Sequence, residues 1–125
     1  MTTEERFEEM TDAEQDLTVT WFATTDAALV TLVSTVRTKA SQAPDSEKVD
    51  WLRQFSRLTA QLSLMQAAEE AMNASSLVIN PPDEPLIDET IQCADALGKL
   101  IASANKATAI VRLVDDLSGL IAKVL

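Results

Sequence analysis

The sequence predicts an all-α protein, an up-down-up antiparallel bundle of three long helices. Only 2 glycines and 4 prolines occur among 125 residues, which leaves few of the turns that a sheet requires. The prolines fall at position 44 and at positions 81–85, and they divide the chain into three segments without an interior proline. Within each segment apolar residues recur at spacings of three and four, as they do on one face of a helix.

The first predicted helix runs from about Asp12 to Ala40. Thr11 and Glu14 fit a capping box at its start. Its apolar face comprises Leu17, Trp21, Phe22, Ala28, Leu29, Leu32, Val33 and Val36. Frequent threonines lower its intrinsic helix propensity, so we expect packing against the rest of the chain to stabilise this helix.

The second predicted helix runs from about Ser46 to Leu77, with Asp45 or Ser46 as its cap. A heptad rhythm marks its buried face, formed by Trp51, Phe55, Leu58, Leu62, Met65 and Met72. Glu69 occupies the one place in this rhythm that is not apolar. The prolines that follow end the segment, because a proline disfavours helix in the residue before it.

The third predicted helix runs from Asp83, its cap, to the C-terminus, with Pro85 in the first turn. The apolar stripe keeps one phase throughout, which indicates a single helix of about 40 residues and about 60 Å. Asn105 and two glycines weaken it. A break near Asn105 would give four helices instead of three.

A single domain is expected over residues 12–125, preceded by an acidic N-terminal extension over residues 1–11. Clustered carboxylates favour a frayed extension, which Phe7 and Met10 could instead hold against the bundle. The extension has no apolar core and so does not resemble a signal peptide. The longest apolar candidate for a membrane span, residues 17–36, contains Asp26 and several threonines, so no span is expected.

The charge balance restricts the partners of the protein. The net charge is -10, so binding to nucleic acid or to an anionic membrane is not expected. A basic protein, in contrast, would be attracted to this surface. The single cysteine permits no internal disulfide and favours a reducing compartment, so the predicted localisation is cytoplasmic.

No recognisable catalytic or metal-binding motif occurs, and the sequence predicts neither an enzyme nor a cofactor. Histidine, the commonest general base and metal ligand, is absent from the sequence. No glycine-rich loop is available to hold a phosphate. Cys93 lies on the apolar stripe among acidic neighbours, which predicts a buried and unreactive thiol.

Glu69 has two interpretations. A carboxylate inside an apolar seam is partly desolvated, so its pKa is raised unless it is paired, and it would serve as a buried polar contact for a ligand. Alternatively, a straight helix rotates by about 20° per heptad against a strict repeat. That rotation would place Glu69 at the edge of the seam, without a functional role.

The C-terminal part of the third helix is apolar over more of its circumference than one bundle face requires. The candidate interaction surface consists of Ile110, Leu113, Leu117, Leu120 and Val124. Extra apolar surface indicates contact with another chain, which would be a partner protein or a second copy in a homodimer. The alternative is burial within one chain.

These observations predict a non-catalytic protein–protein interaction module. It would be a small cytoplasmic bundle that acts as an adaptor, as a chaperone-like protein or as a neutraliser of a basic partner. The alternative function is a small-molecule-binding or sensory bundle. Its pocket would lie between helices, lined by Ala104 and Ala107, with Glu69 as the polar contact.

Overall fold

The computed structural model describes residues 4–125 and contains four α-helices and one short pair of strands. The helices are α1 (Asp12–Gln42), α2 (Asp45–Asn73), α3 (Glu84–Ser103) and α4 (Val111–Val124). The strands are β1 (Glu5–Arg6) and β2 (Val78–Ile79), which pair antiparallel. Short 3-10 helices cover Phe7–Glu9 and Ala107–Ile110. The all-α prediction is confirmed.

Helix α1 begins where the sequence predicts, with the capping box formed in both directions. The Glu14 backbone N–H donates to Thr11 Oγ1 at 3.1 Å, and the Thr11 N–H donates to the Glu14 carboxylate at 3.1 Å. Threonine hydroxyls farther along donate to carbonyls one turn back, such as Thr35 to Thr31 at 2.8 Å. These bonds satisfy most of the threonine hydroxyls within the helix itself, whereas the buried hydroxyl of Thr25 has no hydrogen-bond partner.

The core lies between the four helices. Its largest fully buried side chains include Trp21, Leu29, Trp51, Leu58, Met65, Leu97, Ile101, Ile110, Leu117 and Ile121. Trp21 Nε1–H donates to Thr90 Oγ1 at 3.3 Å, and its ring meets Phe22 edge-on with 5.3 Å between centroids. Both tryptophans therefore serve core packing.

Polar contacts connect helices that are distant in sequence. Lys39 Nζ lies 5.9 Å from the ring centroid of Trp51 and donates to the carbonyl of Ala102 at 3.3 Å. The end of α1 is thereby joined to the start of α2 and the end of α3. Arg57 of α2 forms an ion pair with Asp115 of α4.

Helix α2 begins without the predicted side-chain cap. Neither Asp45 nor Ser46 caps it, because Pro44 occupies the capping position and the helix already includes Asp45. The Pro44 carbonyl accepts from the backbone N–H of Glu47 at 2.8 Å. Asp45 and Glu47 lie in the first turn, where the helix dipole favours negative charge.

Helix α2 ends at Asn73, four residues before the predicted end. Ser75 adopts a left-handed conformation with φ 58°, and the Ser76 N–H donates to the carbonyl of Ala71 at 2.8 Å. This pattern closes a helix and turns the chain away. The apolar residues that follow enter β2 instead of a further helical turn.

The predicted third helix is interrupted, so the prediction of one continuous helix is wrong and the four-helix alternative applies. Helix α3 ends at Ser103, and Ala104 is extended with ψ 138°. Buried positions recur every three residues here, at Ile101, Ala104, Ala107 and Ile110. In a continuous helix, at 100° per residue, Ile101 and Ile110 would point in opposite directions. The break allows both to reach the core.

Residues 5–10 pack against the bundle. Beyond the β1–β2 pairing, the Phe7 N–H donates to the Leu77 carbonyl at 2.9 Å. The Gln15 side-chain amide donates to the Phe7 carbonyl at 2.9 Å. Met10 is buried. Over residues 4–11 the extension is held against the bundle by Phe7 and Met10, and residues 1–3 of the predicted extension lie outside the described chain.

Within the described chain, α1 is the one helix long and apolar enough to cross a membrane by length and composition alone. Its most apolar 18-residue window has a hydropathy of 1.3, and 33% of that window is buried in the fold. A core helix of a soluble protein passes the same test. In this fold Trp21, Leu29 and Val36 of α1 are buried completely.

Candidate functional site: the groove between α3 and α4

The five residues of the predicted interaction surface separate into two groups. Ile110, Leu117 and Val124 have exposures of 0%, 1% and 0%. For these three the expectation of a contact surface is wrong, because the inner side of α4 packs into the core of the same chain. Leu113 and Leu120 are half-buried, and both line an open groove between α3 and α4.

The groove has a volume of about 610 Å³. Cys93, Leu113 and Leu120 supply its apolar lining, and charged residues border it. A second depression of about 500 Å³ adjoins it toward the connection between β2 and α3, and the two share Glu89 and Lys123. From Leu113 to Lys123 the groove follows α4 for about 15 Å, at 1.5 Å per residue.

Cys93 contributes an apolar surface to the groove. Its Sγ lies 3.7 Å from the carbonyl oxygen of Leu113. Burial raises the pKa of the thiol, and the charge of Asp116 raises it further. A thiol with a raised pKa stays protonated and is a weak nucleophile. The sequence predicts a buried thiol, whereas Cys93 is half-buried and not fully enclosed, so a small reagent can reach it from the groove.

The two glycines have different surroundings. A Cβ atom at Gly98 would lie 3.7 Å from Cδ2 of Leu32, whereas a Cβ atom at Gly119 would meet no atom within 4 Å. Neither glycine has a positive φ. A glycine inside a helix costs about 1 kcal/mol relative to alanine. Nothing in the described chain requires the missing side chain at Gly119, which widens the groove.

Charge is segregated along the bundle. One end brings together β1, the start of α1, the end of α2, the start of α3 and the end of α4. Its acidic residues are Glu4, Glu5, Glu8, Glu9, Asp12, Glu14, Asp16, Glu70, Asp83, Glu84, Asp88 and Glu89. We call this the acidic end. Of the 10 basic residues only Arg6 and Lys123 lie there, so this end carries most of the acidic excess behind the net charge of -10.

Carboxylates at the acidic end interact with one another. A hydrogen bond with the Glu14 side chain raises the pKa of Glu5. The backbone N–H of Thr11 lowers the pKa of Glu14. The opposite directions show that Glu14 is the better stabilised anion of the two, because it belongs to the capping box.

Glu69 lies half-buried on α2 opposite Asp26 of α1. Burial raises the pKa of Glu69, and the charge of Asp26 raises it further. Within the described residues, one carboxylate oxygen of Asp26 is buried without a hydrogen-bond partner. Glu69 is therefore at the edge of the seam, where two carboxylates of like charge face each other.

The pocket predicted among Glu69, Ala104 and Ala107 is not formed. Ala104 and Ala107 are buried, and Ala104 lies beside Trp51 near the start of α2. Trp51 and Glu69 are about 27 Å apart along α2. The small residues instead pack around the break between α3 and α4.

Neither a metal-binding cluster in the described residues nor a similar known protein indicates a function. Among residues 4–125, no three histidine, cysteine, aspartate or glutamate side chains are grouped so that they could hold a metal ion. Comparisons with family models, with curated proteins and with solved structures found no match. The proposed function therefore rests on the geometry and charge of the chain itself.

Sequence reasoning missed the groove and the charge segregation. The signal for the groove is Gly119, a glycine inside an otherwise strong helical pattern. The charge segregation has no local signal, because it depends on which helix ends meet in the fold.

Proposed function

We propose that the protein is a non-catalytic protein–protein interaction module of the cytoplasm and that it binds a basic partner protein. The acidic end carries this proposal. Concentrated charge of one sign steers an oppositely charged partner and raises its association rate. The same charge disfavours nucleic acid and anionic membranes.

The proposal includes the direction of the helices, which run alternately up, down, up and down. Trp21 of α1 contacts Thr90 of α3, and Lys39 of α1 contacts Ala102 of α3. From the first contact to the second, the residue numbers increase in both helices, which supports a parallel course for α1 and α3. The short connection at Ala43 supports an antiparallel course for α1 and α2.

Helix α4 completes this arrangement. Cys93 lies beside Leu113, and the Asn80 N–H, ahead of α3, donates to the carbonyl of Val124 at 2.9 Å. Early residues of α3 therefore lie near late residues of α4, which supports an antiparallel pair. This topology is what assembles the acidic end from distant parts of the sequence.

A foreign partner is favoured over a second copy. Two acidic ends would repel each other, and the burial of Ile110, Leu117 and Val124 removes most of the apolar surface expected to support a homodimer. A small-molecule function is less favoured. The groove is open along its length, whereas small-molecule sites bury most of the ligand.

The test is affinity capture from the lysate of the cells that make the protein, with three baits. The first is the wild type. The second carries Glu84→Lys with Asp88→Lys, at the acidic end. The third carries Asp45→Lys with Asp95→Lys. Glu84 and Asp45 each begin a helix, and all four acids are exposed, so the two variants match in net charge and in their effect on helix dipoles.

We expect a stoichiometric basic protein that the wild type and the Asp45/Asp95 variant retain to the same salt concentration. The Glu84/Asp88 variant should release it at lower salt, because attraction between exposed charges is screened. Equal retention by both variants, or capture of acidic partners only, would contradict the proposal.

A further inference from the structure

We propose that the groove between α3 and α4 binds a basic amphipathic helix of the partner protein. This inference rests on the proposed function and specifies the site and the chemistry of its occupant.

The spacing of the apolar residues along the groove suits a bound helix. Leu113 and Leu120 are seven residues apart on α4, which is about 10.5 Å or two helical turns. Both are half-buried, so each offers part of its side chain to an incoming group. A helix laid in the groove would place apolar anchors about two turns apart against these leucines.

Gly119 allows close approach. Its position is exposed, and a Cβ atom there would meet no atom within 4 Å. A partner side chain can therefore lie directly against the backbone of α4 beside Leu120. No packing contact within the described chain accounts for this glycine.

The charges around the groove select a basic occupant. Glu89 and Asp116 face a single basic residue, Lys123, and Asp115 is already paired with Arg57. Glu89 also belongs to the acidic end, so the groove and the region of concentrated charge are continuous. Lysine and arginine on the flanks of the incoming helix would pair with these carboxylates, whereas a second copy of this acidic chain would be repelled.

The depression between α1 and α3 lacks these features. It is smaller, about 410 Å³, and Leu32 lies against Gly98. Its charged residues, Asp95 and Lys99, balance each other. Bulk or charge added on this side of the molecule therefore serves as a control.

The experiment uses a synthetic 14-residue amphipathic peptide of leucine and lysine as the probe. Cys93 is the one cysteine of the chain, so its rate of alkylation by iodoacetamide, followed by mass spectrometry, reports on the groove. At saturation the peptide should slow this reaction by about tenfold or more, a value set by the bound fraction.

Four variants locate the contact. Gly119→Leu fills the groove and Glu89→Lys reverses its charge, and each should weaken peptide binding by about fivefold or more. Ala23→Leu adds similar bulk, one carbon less, on the exposed face of α1, and Asp95→Lys makes the same charge reversal on the other side of α3. These two should bind the peptide as the wild type does. Each variant's alkylation rate is compared with its own rate without peptide.

Specific outcomes would overturn the proposal that the groove binds a basic helix. Peptide binding without protection of Cys93, or equal loss in Glu89→Lys and Asp95→Lys, would overturn it while leaving the interaction function intact. So would absence of peptide binding when the capture experiment yields a basic partner. A dimer of the free protein whose dissociation accelerates alkylation would assign the groove to a second copy. If the capture experiment yields no basic partner but the peptide still protects Cys93 from alkylation, the result contradicts the proposed function and supports binding in the groove.

Discussion

The α1–α2 pair and the α3–α4 pair begin from similar apolar patterns and differ in how completely they close. Helices α1 and α2 have 31 and 29 residues, and they meet at Lys39–Trp51 toward one end and at Asp26–Glu69 toward the other. Helices α3 and α4 have 20 and 14 residues and leave a groove of about 610 Å³. In this chain the width of the apolar face, more than its period, indicates which helix leaves surface available to another molecule.

The largest expected effect distinguishes the two sides of α4. Leu117→Ala should lower the free energy of unfolding by about 3 kcal/mol, because it leaves a cavity in a close-packed core. Leu120→Ala removes the same atoms from the half-exposed groove and should cost about 1 kcal/mol or less. Urea denaturation measures both. Equal losses would mean that the groove side of α4 is as buried as its core side.

The second effect compares the two glycines. Gly98→Leu should be less stable than Gly119→Leu by about 1 kcal/mol, because its Cβ would already contact Cδ2 of Leu32 at 3.7 Å and the rest of the side chain must pack beside that contact. Gly119→Leu should leave stability unchanged or raise it by up to about 1 kcal/mol, because it replaces a poor helix former and meets open space. Thermal unfolding of the two variants measures both changes in stability. Destabilisation by Gly119→Leu would mean that the α3–α4 groove is closed in solution.

A third prediction concerns the end of the α1–α2 pair. Ser75 has the left-handed backbone that glycine adopts without a steric penalty, so Ser75→Gly should raise the free energy of unfolding by about 1 kcal/mol. Ser76→Gly, one residue farther, should not stabilise. Urea denaturation of both variants checks this. Equal gains would show that the effect does not come from the left-handed conformation.

The smallest effect lies in the seam of the α1–α2 pair. Glu69→Gln should stabilise the protein at neutral pH by about 0.5 kcal/mol, the scale of a like-charge contact on helices. The folded-state pKa of Glu69 is raised, so its contribution to stability is fully present below the unfolded pKa and is lost as pH rises through the folded pKa. The advantage of the variant should therefore vanish below the ordinary pKa of 4.5.

Asp26→Asn provides the control for this prediction. If the two carboxylates repel each other, the gains from Glu69→Gln and Asp26→Asn combined should be smaller than the sum of the separate gains. Full additivity would show that the two groups do not interact. A constant advantage of Glu69→Gln at all pH values would exclude titration of Glu69 as its cause.

The parts of the fold that the sequence predicted are local. The start of α1 follows from Thr11 and Glu14, and the start of α3 from Asp83, whose side chain accepts from the Leu86 N–H at 2.9 Å. A cap and the first turn lie within four residues, so neighbouring residues determine them. The apolar width of α4 was also visible, but three of the five residues assigned to an exposed surface on that basis, Ile110, Leu117 and Val124, are buried in the core.

The end of α2 and the break after α3 depended on other information. The run Leu77–Ile79 continues the apolar pattern of α2, but its residues Val78 and Ile79 pair with Glu5–Arg6, a contact across more than 70 positions. The break did have a signal, since Ile101 and Ile110 are nine residues apart and cannot both face one core from a continuous helix. Both the groove and the acidic end require the topology that brings helix ends together.

The most direct test of the central claim uses the two glycines as reporters, because the chain has no others. Protein labelled with ¹⁵N at glycine alone should show two amide signals, Gly119 for the α3–α4 groove and Gly98 for the α1–α3 side. On titration with the leucine–lysine peptide, we expect the Gly119 signal to shift progressively to saturation while the Gly98 signal stays in place. A shift of Gly98 alone, or equal shifts of both, would contradict binding in the groove.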